Sequence, residues 1–309
     1  IYSFDWYNIW AAYRLLCTIP NDIFHSQDPT FMTYLAQRCR PDCAHIITCR
    51  DPRDARDWSI ELRDATVGRR CKIPLNWFLE SGPMIVNAVR HADGVFVPAF
   101  FLKSKVNRIF KPHSKVGFLP NIITMPKVLL EKPQRPVLTF IGRLDRRKRP
   151  EKFLELATSI NNCEFYVVGR AESTSRDREL RNRYSHLSNI HWIGYVDRFK
   201  EPEKFSEILM KTWILVNTAT REGLPLSILE AMGYGCAIVC ALNPDNIASR
   251  FGCHVSNDDF GSAISRLLND PQKILNAGLQ GRKYVQETYN YTQATSKHIK
   301  MYKRCMCAK

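Results

Sequence analysis

Arg221-Glu222-Gly223-Leu224-Pro225-Leu226-Ser227-Ile228-Leu229-Glu230-Ala231-Met232-Gly233 is the stretch on which the fold turns. It follows Trp213-Ile214-Leu215-Val216-Asn217, an apolar run that predicts a buried strand. Pro225 suits a first helical turn, where its missing N–H costs nothing, so the spacing predicts a helix from Pro225 to Met232 that stops near Gly233 and Gly235. Cys236 to Ala241 then returns as a strand. Strand, glycine turn, helix and strand make one unit of a parallel α/β sheet.

The same alternation extends both ways. Toward the carboxyl end, helical patterns cover Phe260 to Leu268, Pro271 to Tyr289 and Tyr291 to Lys303. Toward the amino end, strands are predicted at Val137 to Gly142, Glu164 to Gly169 and His191 to Ile193, with a helix from Pro150 to Ile160. Residues 122–136 change character, punctuated by Pro126, Pro133 and Pro136. Before them, strands are predicted at Asp22 to His25, Ala44 to Cys49, Gly94 to Val97 and Lys115 to Leu119. Helices are predicted at Met32 to Arg40, Pro83 to Ala92 and Phe101 to Phe110. Continuous apolar strands alternating with helices mean parallel sheets covered on both faces. The expected organisation is a domain over 1–125, a linker over 126–136, a second domain over 137–289 and a last helix over 290–309 that returns to the first.

Composition bounds the partners. The 309 residues are 45% hydrophobic and 24% charged, as in ordinary globular chains, which excludes disorder as the main state. No apolar run reaches the ~20 residues of a membrane span. The net charge is +15, with 17 basic and 11 acidic residues over 1–130 and 28 and 19 over 131–309, so the excess is not one tail. Such a surface suits nucleotide phosphates, anionic lipid or nucleic acid; its plain alternative is a solvated basic surface. The chain has no recognised nucleic-acid module, so no specific nucleic acid is expected. None of the 11 cysteines falls in a paired C-x2-C set, and they read as reduced thiols of a cytosolic protein, with no metal expected.

Chemistry gathers at the ends of the second-block strands. Gly142-Arg143 follows one strand, with Lys148 shortly after; Gly169-Arg170 follows the next, and Gly194-Tyr195-Val196 the third. The N–H groups around Leu226, Ser227 and Ile228 form a helix start suited to phosphate. Glu222 before that helix and Glu230 within it can accept hydrogen bonds from two sets of hydroxyls. Arg143 and Lys148 add positive charge for a diphosphate. Each feature singly has a plain structural reading; their order at successive strand ends is what points to a site.

In this order they resemble glycosyltransferase family 4 on the GT-B fold: Gly142-Arg143 with Lys148-Arg149, Val168-Gly169, Gly194-Tyr195-Val196, and Glu222 to Gly235. The resemblance implies an α/β architecture of two doubly wound, Rossmann-like domains facing a cleft. It implies a retaining, metal-independent transferase that moves a sugar from a nucleotide-diphosphate sugar to a glycan or glycolipid acceptor. The nucleotide-sugar is a substrate, and no cofactor is expected. Arg143 and Lys148 would grip the diphosphate and Glu222 the sugar hydroxyls, these being the catalytic group. Gly142 and Gly169 would sit in the donor loops. Gly223, Leu224, Pro225 and Leu226 would line the sugar, Ser227 and Ile228 the phosphate, Glu230 the ribose, and Tyr195 and Val196 the base. Family members often carry Gly where Arg149 stands.

The first block resembles the family more faintly. It is short and shows no opening strand with a Gly-rich loop, so a reduced or incomplete domain is expected. Arg50 stands where members often carry His, and an ion pair with Asp51, Asp54 or Asp57 is its structural alternative. His25 is the other acceptor-side candidate, with Asp28 as the alternative partner. His45 reads as core or paired. Trp6, Tyr7, Trp10 and Tyr13 form an aromatic stretch expected to pack on its own domain, or else to lie on a membrane surface. The implied place is cytoplasmic, peripheral at the membrane face, in polysaccharide or glycolipid assembly. The alternatives are a non-catalytic nucleotide-sugar-binding protein and a sugar-nucleotide epimerase.

Overall fold

A computed structural model describes residues 9–65 and 67–307, which divide into two compact units. One runs through Pro120 and takes up the chain again from Ala294; the other is Asn121–Gln293.

The first unit holds strands β1 (Ile23–Gln27), β2 (Ala44–Thr48), β3 (Gly94–Val97) and β4 (Gly117–Phe118), parallel and in sequence order. Its helices are α1 (Ile9–Thr18), α2 (Phe31–Cys39), α3 (Ala55–Asp64), α4 (Val67–Arg70), α5 (Ile73–Ser81), α6 (Pro83–Arg90) and α7 (Leu102–Phe110). Every residue of β2 and β3 is buried, the polar His45 and Thr48 of β2 included, as expected of strands covered on both faces.

The second unit holds β5 (Val137–Ile141), β6 (Glu164–Val168), β7 (Ile190–Gly194), β8 (Ile214–Asn217), β9 (Ala237–Cys240) and β10 (Gly252–His254). Its helices are α8 (Pro150–Ser159), α9 (Thr174–Arg183), α10 (Pro202–Lys211), α11 (Leu226–Gly233), α12 (Ile247–Arg250), α13 (Phe260–Leu268) and α14 (Pro271–Thr288). The strand order is β10-β9-β8-β5-β6-β7, all parallel. The chain winds outward from β5 through β6 to β7, then restarts at β8 on the other side. The switch point therefore lies between β5 and β8, where sheets of this kind open a crevice at their carboxyl ends. Residues 126–136 lie within this unit: the Lys132 ammonium donates to Leu209 O (3.2 Å) and Tyr234 O (3.1 Å), and Arg282 Nη2 donates to Pro126 O (2.6 Å).

The final helix, α15 (Tyr291–Cys307), belongs to the first unit from Ala294 onward. Met301 and Cys305 complete an apolar cluster with Ala44, Ile46, Phe96 and Leu119, and His298 Nε2 lies 2.9 Å from Pro120 O.

The expected parallel α/β sheets are present. Helix α11 starts one residue late, because Pro225 is extended (φ −61°, ψ 130°) and serves as the cap. The aromatic stretch does not pack as expected where it is described. Trp10 is 79% exposed and Tyr13 43%, while Ala12 and Leu16 form the buried face of α1. Trp6 and Tyr7 lie outside the described residues.

Candidate functional site

The loop after β5 and the segment after β8 are bonded together at the switch point. Thr218 Oγ1 donates to Lys148 O (2.6 Å) and Arg149 O (3.0 Å), and Thr220 N donates to Arg147 O (3.0 Å). The buried Asp145 accepts from Lys148 N (3.0 Å) and pairs with the Arg143 guanidinium (3.0 Å). Arg149 is left-handed at φ 50°, which explains why the resembling family often has Gly there. Here its guanidinium instead reaches Thr218 O and Asp258 Oδ2, each at 2.6 Å.

Neighbouring strand ends join this edge. Gly169 N donates to Gly194 O (2.8 Å), Gly142 N to Val168 O (3.0 Å) and Leu144 N to Arg170 O (3.0 Å). Gly169 has φ +151°, and a Cβ there would stand 1.8 Å from Gly142 O, so the loops close only over glycine.

Two carboxylates then take cationic partners. The Lys148 ammonium pairs with Glu222 Oε1, while Asn217 Nδ2 donates to Glu222 Oε2 (3.2 Å). Asn217 is itself held by accepting from Ala219 N (3.0 Å). Glu230, in the second turn of α11, accepts from Arg198 Nη1 at 2.5 Å. Burial pushes the Glu230 carboxyl above its ordinary pKa, and the Arg198 guanidinium opposes that shift. Arg198 also lies over the Phe199 ring (5.1 Å) and Arg170 over the Tyr195 ring (5.1 Å). Tyr195 is exposed and Val196 buried. Gly223, Leu224, Pro225, Leu226, Ser227 and Ile228 connect Glu222 to the first turn of α11; Ile228 N, expected to face phosphate, donates to Pro225 O (3.2 Å), while the Leu226 and Ser227 N–H groups have no earlier helical carbonyl to bond.

The structure thus joins Arg143, Lys148 and Glu222 through Asp145, Thr218 and Asn217. Sequence reasoning missed Asp145, Asn217 and Arg198. Only Asn217, a polar residue ending an apolar strand, carried a sequence signal.

The two first-unit candidates lie on or just after neighbouring strands, with Arg50 two residues beyond the end of β2. His25 is within β1, its Nδ1 2.7 Å from the Tyr302 hydroxyl and its Nε2 2.8 Å from Thr48 Oγ1. Asp28 is therefore not its partner: Asp28 Oδ1 accepts from Arg50 N (2.6 Å) and Asp51 N (3.0 Å). Burial, with the nearby His298, lowers the His25 pKa to about 4. Asp54 and Asp57, weighed as partners for the Arg50 side chain, pair with Arg108 (2.8 Å) and Lys105 (2.5 Å). His45 is buried, with Nε2 2.7 Å from Arg40 O.

Residues 135–270 match the family model of glycosyl transferases group 1. The chain is 28% identical over 186 residues to the O-antigen biosynthesis glycosyltransferase WbnH of Escherichia coli, covering 55% of this chain and 51% of the relative. It matches the probable O-antigen biosynthesis glycosyltransferase WbiN of the same organism equally well. The chain spans about half the length of these curated relatives. Among solved structures it is similar to sucrose-phosphate synthase from Thermosynechococcus elongatus (TM-score 0.72, 18% identity, 97% of this chain and 77% of that one). A TarM variant of S. aureus in complex with fondaparinux, α-GlcNAc-glycerol and UDP gives a TM-score of 0.72 at 16% identity, over 94% of this chain and 58% of that one. Anabaena HepE in complex with UDP and glucose gives 0.69 at 12%, over 97% and 83%. At these identities the structural likeness establishes the fold, which is GT-B.

Proposed function

We propose that this protein is a retaining, metal-independent glycosyltransferase that moves a sugar from a nucleotide-diphosphate sugar to a glycan or lipid-linked glycan. The observation that carries the reading is the join at the switch point, where Arg143 and the Lys148–Glu222 pair meet beside the loop that leads into α11. The group 1 match over 135–270 and the two O-antigen transferase relatives support it. The UDP and glucose in HepE, and the UDP and glycans in TarM, support a nucleotide-sugar donor and a glycan acceptor.

Breaking a sugar–phosphate bond builds negative charge on the diphosphate and positive charge on the sugar. Arg143, Lys148 and the α11 amino end stabilise the first without reorganisation. The incoming diphosphate takes Lys148 away from Glu222. That carboxylate, still held by Asn217, is then open to the sugar hydroxyls. Glu230 accepts from the ribose hydroxyls, and Tyr195 and Val196 border the base. His25 and Arg50 belong to the acceptor side. The reading places the protein in polysaccharide assembly at the cytoplasmic membrane face, as a peripheral protein. Arg50, standing where the resembling family often has His, favours one alternative: a nucleotide-sugar-binding protein without turnover.

The test is calorimetry with UDP-, GDP- and ADP-sugars on the full natural chain and on Glu230→Ala, with sugar release or transfer followed in the same samples. We expect saturable binding of one donor, lost in the variant and accompanied by turnover. Binding without turnover selects the non-catalytic alternative, and no binding by the folded chain removes the donor-site assignment.

A further inference from the structure

Helix α5 is inside-out. Successive residues of a helix turn by about 100°, which places Trp77, Pro74, Phe78 and Leu75 on one arc of about 160°. That arc is the solvent face: Leu75 is 55% exposed, Trp77 46% and Phe78 41%, with Pro74 exposed beside them. The opposite face carries the buried Leu79 together with Asn76 and Glu80, and Glu80 pairs inward with Arg53 (2.9 Å). A surface helix ordinarily turns its apolar stripe to the core and its polar residues to water. A contiguous exposed patch of large apolar side chains marks an interaction surface, whereas scattered exposed residues do not.

We infer that α5 docks the protein on an anionic lipid surface, with Leu75, Trp77 and Phe78 entering the headgroup boundary. This deepens the peripheral placement proposed above and does not depend on the donor site. The occupant is chosen by charge. The run Arg69-Arg70-Cys71-Lys72 leads directly into the helix, and Arg70 and Lys72 are exposed. A basic collar beside an apolar face, rich in aromatic residues, is what an interfacial helix offers anionic lipid. Tryptophan adds a ring suited to that boundary. A second copy of the chain would bring an identical basic collar against this one, and like charges would oppose it. At nine residues, α5 lies in the interface and does not cross it.

The experiment is co-sedimentation of the full natural chain with phosphatidylcholine vesicles, with and without phosphatidylglycerol. Two variants accompany it: Leu75→Ser/Trp77→Ser/Phe78→Ser and Arg70→Glu/Lys72→Glu. Circular dichroism melts check that these surface changes leave the fold intact. The wild type is expected to bind phosphatidylglycerol vesicles in a salt-sensitive way. The apolar variant should bind at least about tenfold more weakly, and the charge variant should lose the preference for anionic lipid. Nucleotide-sugar binding in solution should be unchanged in both, which separates this result from the donor test. The inference is overturned if the wild type ignores the vesicles or if the apolar variant binds as well as wild type. It is also overturned if sedimentation shows a dimer in solution that the apolar variant abolishes.

Discussion

Arg198 opposes the burial that pushes the Glu230 carboxyl toward its neutral form. A mostly buried carboxyl, already pushed toward its neutral form, stays ionised at neutral pH more readily with a guanidinium 2.5 Å away. On the proposed reading, in which Glu230 accepts from the ribose hydroxyls, removing that guanidinium weakens the acceptor. Arg198→Ala should therefore lower donor affinity about tenfold, the scale of one charge-assisted hydrogen bond. In a calorimetric double-mutant cycle with Glu230→Ala the two losses should be strongly non-additive, and simple additivity would show that the pair does not act as a unit. His25 makes a prediction about pH. Its pKa is about 4 in the fold against 6.5 ordinarily, so between those values the unfolded chain binds a proton that the folded chain does not. Stability therefore falls as pH drops through that window. Urea midpoints for His25→Gln should fall less steeply from pH 6.5 to 4 than those of wild type; parallel slopes would contradict the lowered pKa.

Elements differ in how far they could be read. Most strands are legible because parallel strands buried on both faces are largely apolar runs, as in Ala237–Cys240 and in Val137–Ile141, where only Thr139 is polar; β10, three residues with no such run, is not. Helix α9 is not legible, because Thr174–Arg183 is polar almost throughout and buries only Leu180, leaving periodicity nothing to display. Helix α10, absent from the expected elements, does carry a signal, with Pro202 opening it and Phe205, Ile208 and Leu209 spaced for one face. Helix α5 defeats the rule itself, since its apolar residues face water. At the site, Gly142-Arg143, Lys148 and Glu222 were legible from order along the chain. Their connections through Asp145 and Asn217 were not, because spacing cannot say which loops the sheet brings together. The tightest of these junctions is testable. In Gly169→Ala the new Cβ meets the backbone carbonyl of Gly142, which cannot rotate aside as a side chain would. The cost should be about 2–4 kcal/mol, read as a lower denaturant midpoint, with donor binding weakened in whatever remains folded. A neutral substitution would mean that the strand-end loops are looser than drawn.

At the scale of the whole molecule the chain order and the unit order disagree. The chain leaves the first unit after Pro120, completes the second, and returns from Ala294 onward. The first unit therefore cannot finish its core until α15 has been made. Met301 and Cys305 cover Ala44, Ile46, Phe96 and Leu119 there, and Tyr302 and His298 reach His25 and Pro120 O. Met301→Ala removes buried apolar volume from that cluster alone, at a cost of about 2–5 kcal/mol. If the units unfold separately, calorimetry should show one transition moving to lower temperature and the other staying in place. Adding the nucleotide-sugar identified by the donor panel should raise only the unmoved transition, because a ligand stabilises the unit that binds it. A single transition shifted by both the mutation and the ligand would mean that the two units unfold as one, with donor binding then coupled to the packing of α15 in the first unit.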